Sequence, residues 1–334
     1  MSLIASRAIH LLALLGLAGF IACTTARSDA DDDDDDTSGQ GAGGPGGPGG
    51  TGGSGGSGGS IFTTGSGTGG STGDGCSDAA KLVYVLSSDN DLYSFEPDQK
   101  KFTLIGPLSC PTGMQPNSMA VDRNATAYIN YVEGGSSGDT AGVLFKVSTT
   151  DASCEGAPTV SLPPDWFRMG MGFSTDGAGQ SSETFFVTGT AFDGSGPGLG
   201  RIDLGTNTLA PVGEFTGSLN GANAELTGTG DGRLFGFFTT TPVQVAEIDK
   251  ASGAIVSAVP LPGVETPSFW AFSFWGGDFY LYTAPSQFQE PNRTTNVTRY
   301  RPSDGSIDTA YMTNIGFRIV GAGVSTCAPL EPPE

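Results

Sequence analysis

The chain of 334 residues contains one histidine, His10. It lies in residues 1–23, where a positive charge at Arg7 precedes an apolar run from Ala8 to Ile21. That run is short for a bilayer span and suits a secretory signal that is removed. The mature chain would then have no histidine. This excludes Ser-His-Asp and Cys-His nucleophile activation and every His-ligated metal site. Basic residues are also scarce: from Cys76 onward there are 27 Asp plus Glu against 13 Lys plus Arg, a balance of -14. Nucleic acid and anionic lipid are disfavoured as partners by that charge. No second stretch is apolar enough to cross a membrane, and helical periodicity is missing throughout.

Glycine and acidic residues are abundant where apolar residues are not. Residues 24–75 consist mainly of Gly, Ser, Thr, Pro and Asp, including "DADDDDDD" at 29–36 and "GGPGGPGGTGGSGGSGGS". Such a segment cannot bury enough apolar surface to offset the entropy of ordering it. It reads as a disordered tether with a root-mean-square span of roughly 40 Å, stiffened at its Asp-rich end by self-repulsion. Contiguous carboxylates without intervening ligands or a Gly turn do not form a defined calcium loop, so the Asp run reads as a solvated spacer.

The signal ends in "FIAC", which resembles the lipobox of bacterial lipoproteins, although Phe20 stands where Leu is usual. The resemblance implies acylation of Cys23, which would become the N-terminus and anchor the chain through lipid alone. Thr24 is not the Asp that often retains such proteins on the inner membrane, so the implied address is the outer membrane or cell surface.

From Cys76 the chain repeats itself. "SMAVD" at 118, "GMGFS" at 170, "NAELT" at 223, "FWAFS" at 269 and "GAGVS" at 321 share an apolar position at Val121, Phe173, Leu226, Phe272 and Val324, spaced by 52, 53, 46 and 52 residues. A period near 50 with strands inside it signals a β-propeller. Further strand-like columns follow in each unit, with tight-turn pairs at Asp231-Gly232, Gly276-Gly277 and Asp304-Gly305. Four units are complete. The fifth is split, with its first strand at the C-terminus and its other three between Lys81 and Gly106. The expected fold is all-β: a five-bladed β-propeller of four-stranded blades occupying residues 76–334, its ring closed by pairing the C-terminal strand with the N-terminal strands. Closure removes open sheet edges.

With Cys23 lipidated, Cys76, Cys110, Cys154 and Cys327 remain, which permit three connectivities in an exported chain. In the split blade no peptide joins strand one to strand two, and a Cys76–Cys327 disulfide would replace that link. Cys110 and Cys154 would then tie the last strand of the split blade to a turn in the next. A bridge closing so long a loop contributes about 4 to 5 kcal/mol as an upper figure. The spacings suit neither zinc nor redox chemistry, and no metal or cofactor is expected.

Glu225 breaks the repeat. Its column otherwise holds Ala120, Gly172, Ala271 and Gly323, so a carboxylate stands on the innermost strand near the channel, where it needs water, a cation or a donor. It is either a ligand contact or a wetted carboxylate paired with an Arg. Asp122 would join it at the same mouth, unless it caps its own turn before "RNA". In "FWAFSFWGGDFYLY" at 269–282 most rings occupy apolar columns, which inter-blade packing explains. Trp270, facing a column of Met and Ala, and Trp275, flanking a turn, are the candidates for ligand stacking. "SSDND" at 87–91 reads as a hairpin turn, and "NAT", "NRT" and "NVT" at 124, 292 and 296 as unmodified acceptor patterns.

Signal, tether and disulfide-stapled propeller together resemble surface lipoproteins of myxobacteria and related bacteria, many without assigned activity. The resemblance implies a non-catalytic binding or interaction module for an extracellular or periplasmic protein or glycan. The alternatives are a glycoside hydrolase using Glu225 and Asp122 as paired carboxylates, and a passive envelope component.

Overall fold

A computed structural model describes residues 75–333 apart from 136, 137, 159, 192 and 287. The chain divides into two units, Met1–Gly65 and Ser66–Glu334, and every described residue falls in the second. The signal, Cys23 and the tether up to residue 74 lie outside the described residues.

Twenty strands build five four-stranded antiparallel sheets. Blade one contributes β1 (Val83–Ser87), β2 (Asp91–Glu96) and β3 (Lys101–Pro107). Blade two holds β4 (Gln115–Val121), β5 (Thr126–Gly135), β6 (Gly138–Ser148) and the short β7 (Cys154–Gly156). Blade three is β8 (Arg168–Thr175), β9 (Glu183–Thr190), β10 (Leu199–Asp203) and β11 (Thr208–Gly213). Blade four is β12 (Ala224–Gly228), β13 (Leu234–Phe238), β14 (Gln244–Ile248) and β15 (Ile255–Pro260). Blade five is β16 (Phe269–Trp275), β17 (Asp278–Ala284), β18 (Asn296–Arg301) and β19 (Ser306–Met312). Finally β20 (Ile319–Val324) returns to β1, antiparallel, with Val83 opposite Val324 and Val85 opposite Ala322. The fold is thus the expected five-bladed propeller with one blade made from both ends of the described chain. Helix is confined to three single 3-10 turns among the described residues.

Alternation along the strands explains why the sheets stack. In each blade one face packs on the preceding sheet and the other on the following one, so five apolar cores lie between neighbouring blades. The repeated positions Val121, Phe173, Leu226, Phe272 and Val324 are buried among them. Burying side chains of this size stabilises by about 1.5–3 kcal/mol each. Rings add edge contacts across a blade boundary, as where Phe95 meets Tyr282 at 6.0 Å between centroids.

Small residues recur in the first strands for a different reason: those strands crowd one another around the axis. A Cβ on Gly170 would lie 1.9 Å from the Ala224 carbonyl oxygen of the next blade. Only glycine permits that approach. At the Gly276-Gly277 turn both φ angles are positive, +63° and +82°, which is the backbone that a tight hairpin requires there.

Both expected disulfides are formed, Cys76–Cys327 and Cys110–Cys154. The first clamps the two parts of the split blade where a hairpin joins strands one and two in its siblings. Cys154 opens β7 instead of sitting in a turn, so the second bridge ties the chain after β3 directly to the outer strand of blade two.

Candidate functional site

The first strands β4, β8, β12, β16 and β20 start at one face of the ring and end at the other. Hairpins after second strands return to the starting face, which therefore gathers the turn at 88–90 and residues 288–295 of the loop after β17. A cavity of about 430 Å³ opens on that face, lined by the starts of the first strands together with Ser88 and Asp89. Its volume is that of a small-molecule site.

Glu225 stands at the deep end of this cavity and is 5 % exposed. Ser118 Oγ donates to Glu225 Oε2 at 2.9 Å, and the Met171 backbone amide also donates to the carboxylate. The side chain of blade four thus reaches across blade three to blade two. Among the described residues no Lys or Arg forms an ion pair with it. Burial pushes the Glu225 carboxyl well above its ordinary range; the two hydrogen bonds and the nearby Arg168 charge oppose this only in part. The expected Arg pairing is therefore not what holds this group.

Arg168 is committed elsewhere. Its Nε and Nη2 donate to the two oxygens of Asp139 at 2.7 and 3.0 Å, and its Nη1 to Asn117 Oδ1. Asn117 Nδ2 in turn donates to Asn130 Oδ1 at 2.9 Å and to the Met169 carbonyl at 2.8 Å. Fully buried Asn130 completes the chain by accepting from the Met169 amide at 3.1 Å and donating to the Phe167 carbonyl at 3.0 Å. This network joins blades two and three and fixes one wall of the cavity. Satisfied buried polar networks of this kind specify one geometry.

On the opposite wall Phe269 and Trp270 begin β16. Trp270 Nε1 is buried and no acceptor reaches it among the described residues. An indole N–H normally finds a partner when buried. The neighbouring loops are braced by Arg293, which pairs with Glu265 at 2.8 Å and with Glu290 at 3.0 Å. On the rim, the turn carrying Asp89 is held by Asn90, whose Oδ1 accepts from the Tyr131 hydroxyl at 2.6 Å and whose Nδ2 donates to the Leu108 carbonyl at 2.9 Å.

Of the residues singled out from sequence, Glu225 and Trp270 share this cavity and the other two candidates do not. Asp122 follows the last residue of β4 on the far face, where its Oδ1 accepts from the backbone amides of Asn124 and Thr126 at 2.9 Å each. It caps its own turn. Trp275 ends β16; it is 9 % exposed, and its Nε1 donates to the Lys81 carbonyl at 3.0 Å, which fastens blade five to the split blade. Asp89, read from sequence as part of a plain hairpin turn, is the acidic residue that shares the cavity with Glu225.

A half-buried carboxylate, Glu183, lies on the far face. Glu183 Oε1 accepts from the Arg123 amide and Oε2 from Thr326 Oγ1, both at 2.8 Å, while Arg123 Nη1 donates to Thr326 at 3.2 Å. Arg123 Nη2 also approaches Cys76 Sγ at 3.4 Å. These contacts tie blades two and three to the disulfide-bonded seam. Among the described residues no cluster of three or more His, Cys, Asp or Glu is placed to hold a metal ion.

No protein-family model and no curated protein matches the sequence. Solved structures of low similarity do. A protein of unknown function from Bacteroides caccae aligns with 11% identity and a TM-score of 0.37 over 72% of this chain and 97% of its own. The Dos1 propeller aligns with 11% identity and a TM-score of 0.33, over 66% of this chain and 52% of its own. The tricorn protease aligns with 13% identity and a TM-score of 0.38, over 69% of this chain and 22% of its own. At these scores the fold rests on the strand topology described above, and no activity is transferred.

Proposed function

We propose that this chain is a non-catalytic binding module displayed on the cell envelope, held by a lipid on Cys23 and the Gly/Asp-rich tether of residues 24–75. Its partner is an extracellular or periplasmic protein or glycan, and the cavity on the first-strand face receives part of that partner. The anchoring half of the reading is supported by the "FIAC" sequence and the polar composition that follows it. The binding half is supported by one observation: the residue that breaks the repeat, Glu225, and the unpartnered indole of Trp270 occupy the same cavity.

A closed propeller suits this role because its blades are rigid and its first-strand loops converge on one face. The paired-carboxylate hydrolase reading requires Asp122 beside Glu225, and Asp122 is turned into its own loop at the far face. The test has two arms. Metabolic labelling with palmitate should mark the wild-type protein and leave Cys23→Ser unlabelled. Immobilised protein should retain envelope-derived ligand, released unchanged, and the Trp270→Ala variant should not. Release of cleaved sugar by wild type and not by Glu225→Gln would replace the binding reading with a hydrolytic one.

A further inference from the structure

We infer that the cavity on the first-strand face recognises the end of a neutral saccharide, stacked on Trp270 and hydrogen-bonded by its indole N–H. This rests on the binding-module reading above and narrows it to one ligand class.

Charge removes two ligand classes. Arg168, the cavity's basic residue, is engaged by both oxygens of Asp139 and by Asn117. Its charge is thereby matched inside the wall. Asp89 at the rim adds an acidic group, the wrong sign for a carboxylate, phosphate or sulfate ligand. Deep in the cavity the Glu225 carboxyl sits almost wholly out of water, and among the described residues no Lys or Arg forms an ion pair with it. In such a place the neutral acid is favoured over the carboxylate, so the deep end offers little to a cationic ligand, and Asp89, the cavity's other acid, is exposed to water at the rim.

The polar groups that remain favour hydroxyls. Gln115, Thr190, Asn223 and Ser268 line the wall with amides and hydroxyls. These side chains offer donors and acceptors together. A sugar hydroxyl is likewise both donor and acceptor. A peptide backbone alternates fixed donors and acceptors, and a basic side chain only donates.

Trp270 supplies the stacking surface. It is partly exposed while its Nε1 is buried without an acceptor. Its column holds Met119, Met171, Ala224 and Ala322 in the other blades; here the larger ring packs partly against the core between blades four and five and partly lines the cavity. An indole offers a broad apolar face for the C–H surface of a pyranose and a donor at its edge. A ligand hydroxyl at that edge would satisfy a buried donor whose isolation otherwise costs stability.

The experiment is a calorimetric titration of the purified full-length protein with neutral gluco-, galacto- and N-acetylglucosamine-based oligosaccharides. Oligogalacturonate serves as the anionic probe and a Lys/Arg-rich decapeptide as the cationic one. At least one neutral oligosaccharide should bind. Trp270→Phe, which keeps a ring and loses the N–H, should weaken it by about 2- to 12-fold, the range of one hydrogen bond. Trp270→Ala should abolish it, and Trp275→Phe should leave it unchanged. Unfolding temperatures of all three variants report whether a loss reflects the site or the fold, and Trp270→Phe alone decides the matter if the alanine variant unfolds. If oligogalacturonate or the decapeptide binds at Trp270 and the neutral sugars do not, the saccharide assignment is overturned while the binding module stands. If no probe binds, the saccharide assignment is overturned, and retention of envelope-derived ligand by wild type but not by Trp270→Ala still decides the binding module separately.

Discussion

Ser118 Oγ and Glu225 Oε2 meet at 2.9 Å across 107 residues of sequence, joining the first strands of two blades that have another blade between them. Gly170 and Gly172 on the intervening strand let it lie close to β12, where an added Cβ would meet the backbone of Ala224 and Leu226. One carboxyl group therefore links blades two and four and lines the cavity.

Glu225 should make stability depend on pH in a particular direction. Burial raises its folded-state pKa, so the folded protein keeps the proton at pH values where the unfolded chain, near 4.3, has released it. The stabilising contribution is then fully present below about pH 4.3 and is lost as pH rises toward the raised folded value. Glu225→Gln removes this ionisation. Calorimetry should give the variant a Tm at or below wild type at pH 4 and above it at pH 8; parallel Tm curves across that range would contradict the assignment.

The two disulfides should contribute unequally. Cys76–Cys327 spans 251 residues and Cys110–Cys154 spans 44. Loop-closure entropy places the first above the second by about 1.5 kcal/mol. Paired Cys→Ser variants compared by denaturant unfolding should show the larger loss at Cys76–Cys327, because it also seals the split blade. Equal losses would mean that the seam is held by β20 and the Glu183–Thr326 contacts alone.

Gly170 tests how closely the first strands approach. An added Cβ would lie 1.9 Å from backbone oxygen, and backbone cannot swing aside as a side chain can. Gly170→Ala should cost about 1–3 kcal/mol or more. A Cβ added at Gly113 would meet nothing within 4 Å, and its φ is not positive, so Gly113→Ala should change stability by no more than about 0.5 kcal/mol. Urea unfolding of the two variants side by side checks the contrast.

Trp275 should behave as a structural residue. Its indole donates to the Lys81 carbonyl, and Trp275→Phe removes that hydrogen bond at a cost of about 0.5–1.5 kcal/mol. Thermal unfolding should show the loss. An unchanged Tm would remove Trp275 from the seam.

The ring itself is legible in the sequence because its physics repeats. Val121, Phe173, Leu226, Phe272 and Val324 recur where one sheet packs on the next, and the small residues beside them recur where first strands crowd. The two Cys pairs are legible because the split blade lacks one peptide link. The cavity is legible only at its exceptions, Glu225 and Trp270. Asn117, Asn130, Asp139 and Arg168 carry no repeat signal, since their partnership is made by folding two blades together. Asp89 is hidden in an ordinary turn sequence. Asp122 misleads because its column lies only two residues from that of Glu225, about 7 Å along a strand. Side-chain direction separates them: Glu225 reaches back to Ser118, and Asp122 turns out to cap residues 124–126.

Binding at the first-strand face is tested most directly in the indole region of a proton–nitrogen correlation spectrum, in which the three tryptophans give three resonances assigned by Phe substitution. Titration with a neutral oligosaccharide should shift the Trp270 resonance saturably and leave those of Trp166 and Trp275 in place. A Trp270 resonance unmoved by every sugar, or a shift confined to Trp166 or Trp275, would contradict a binding site at that face.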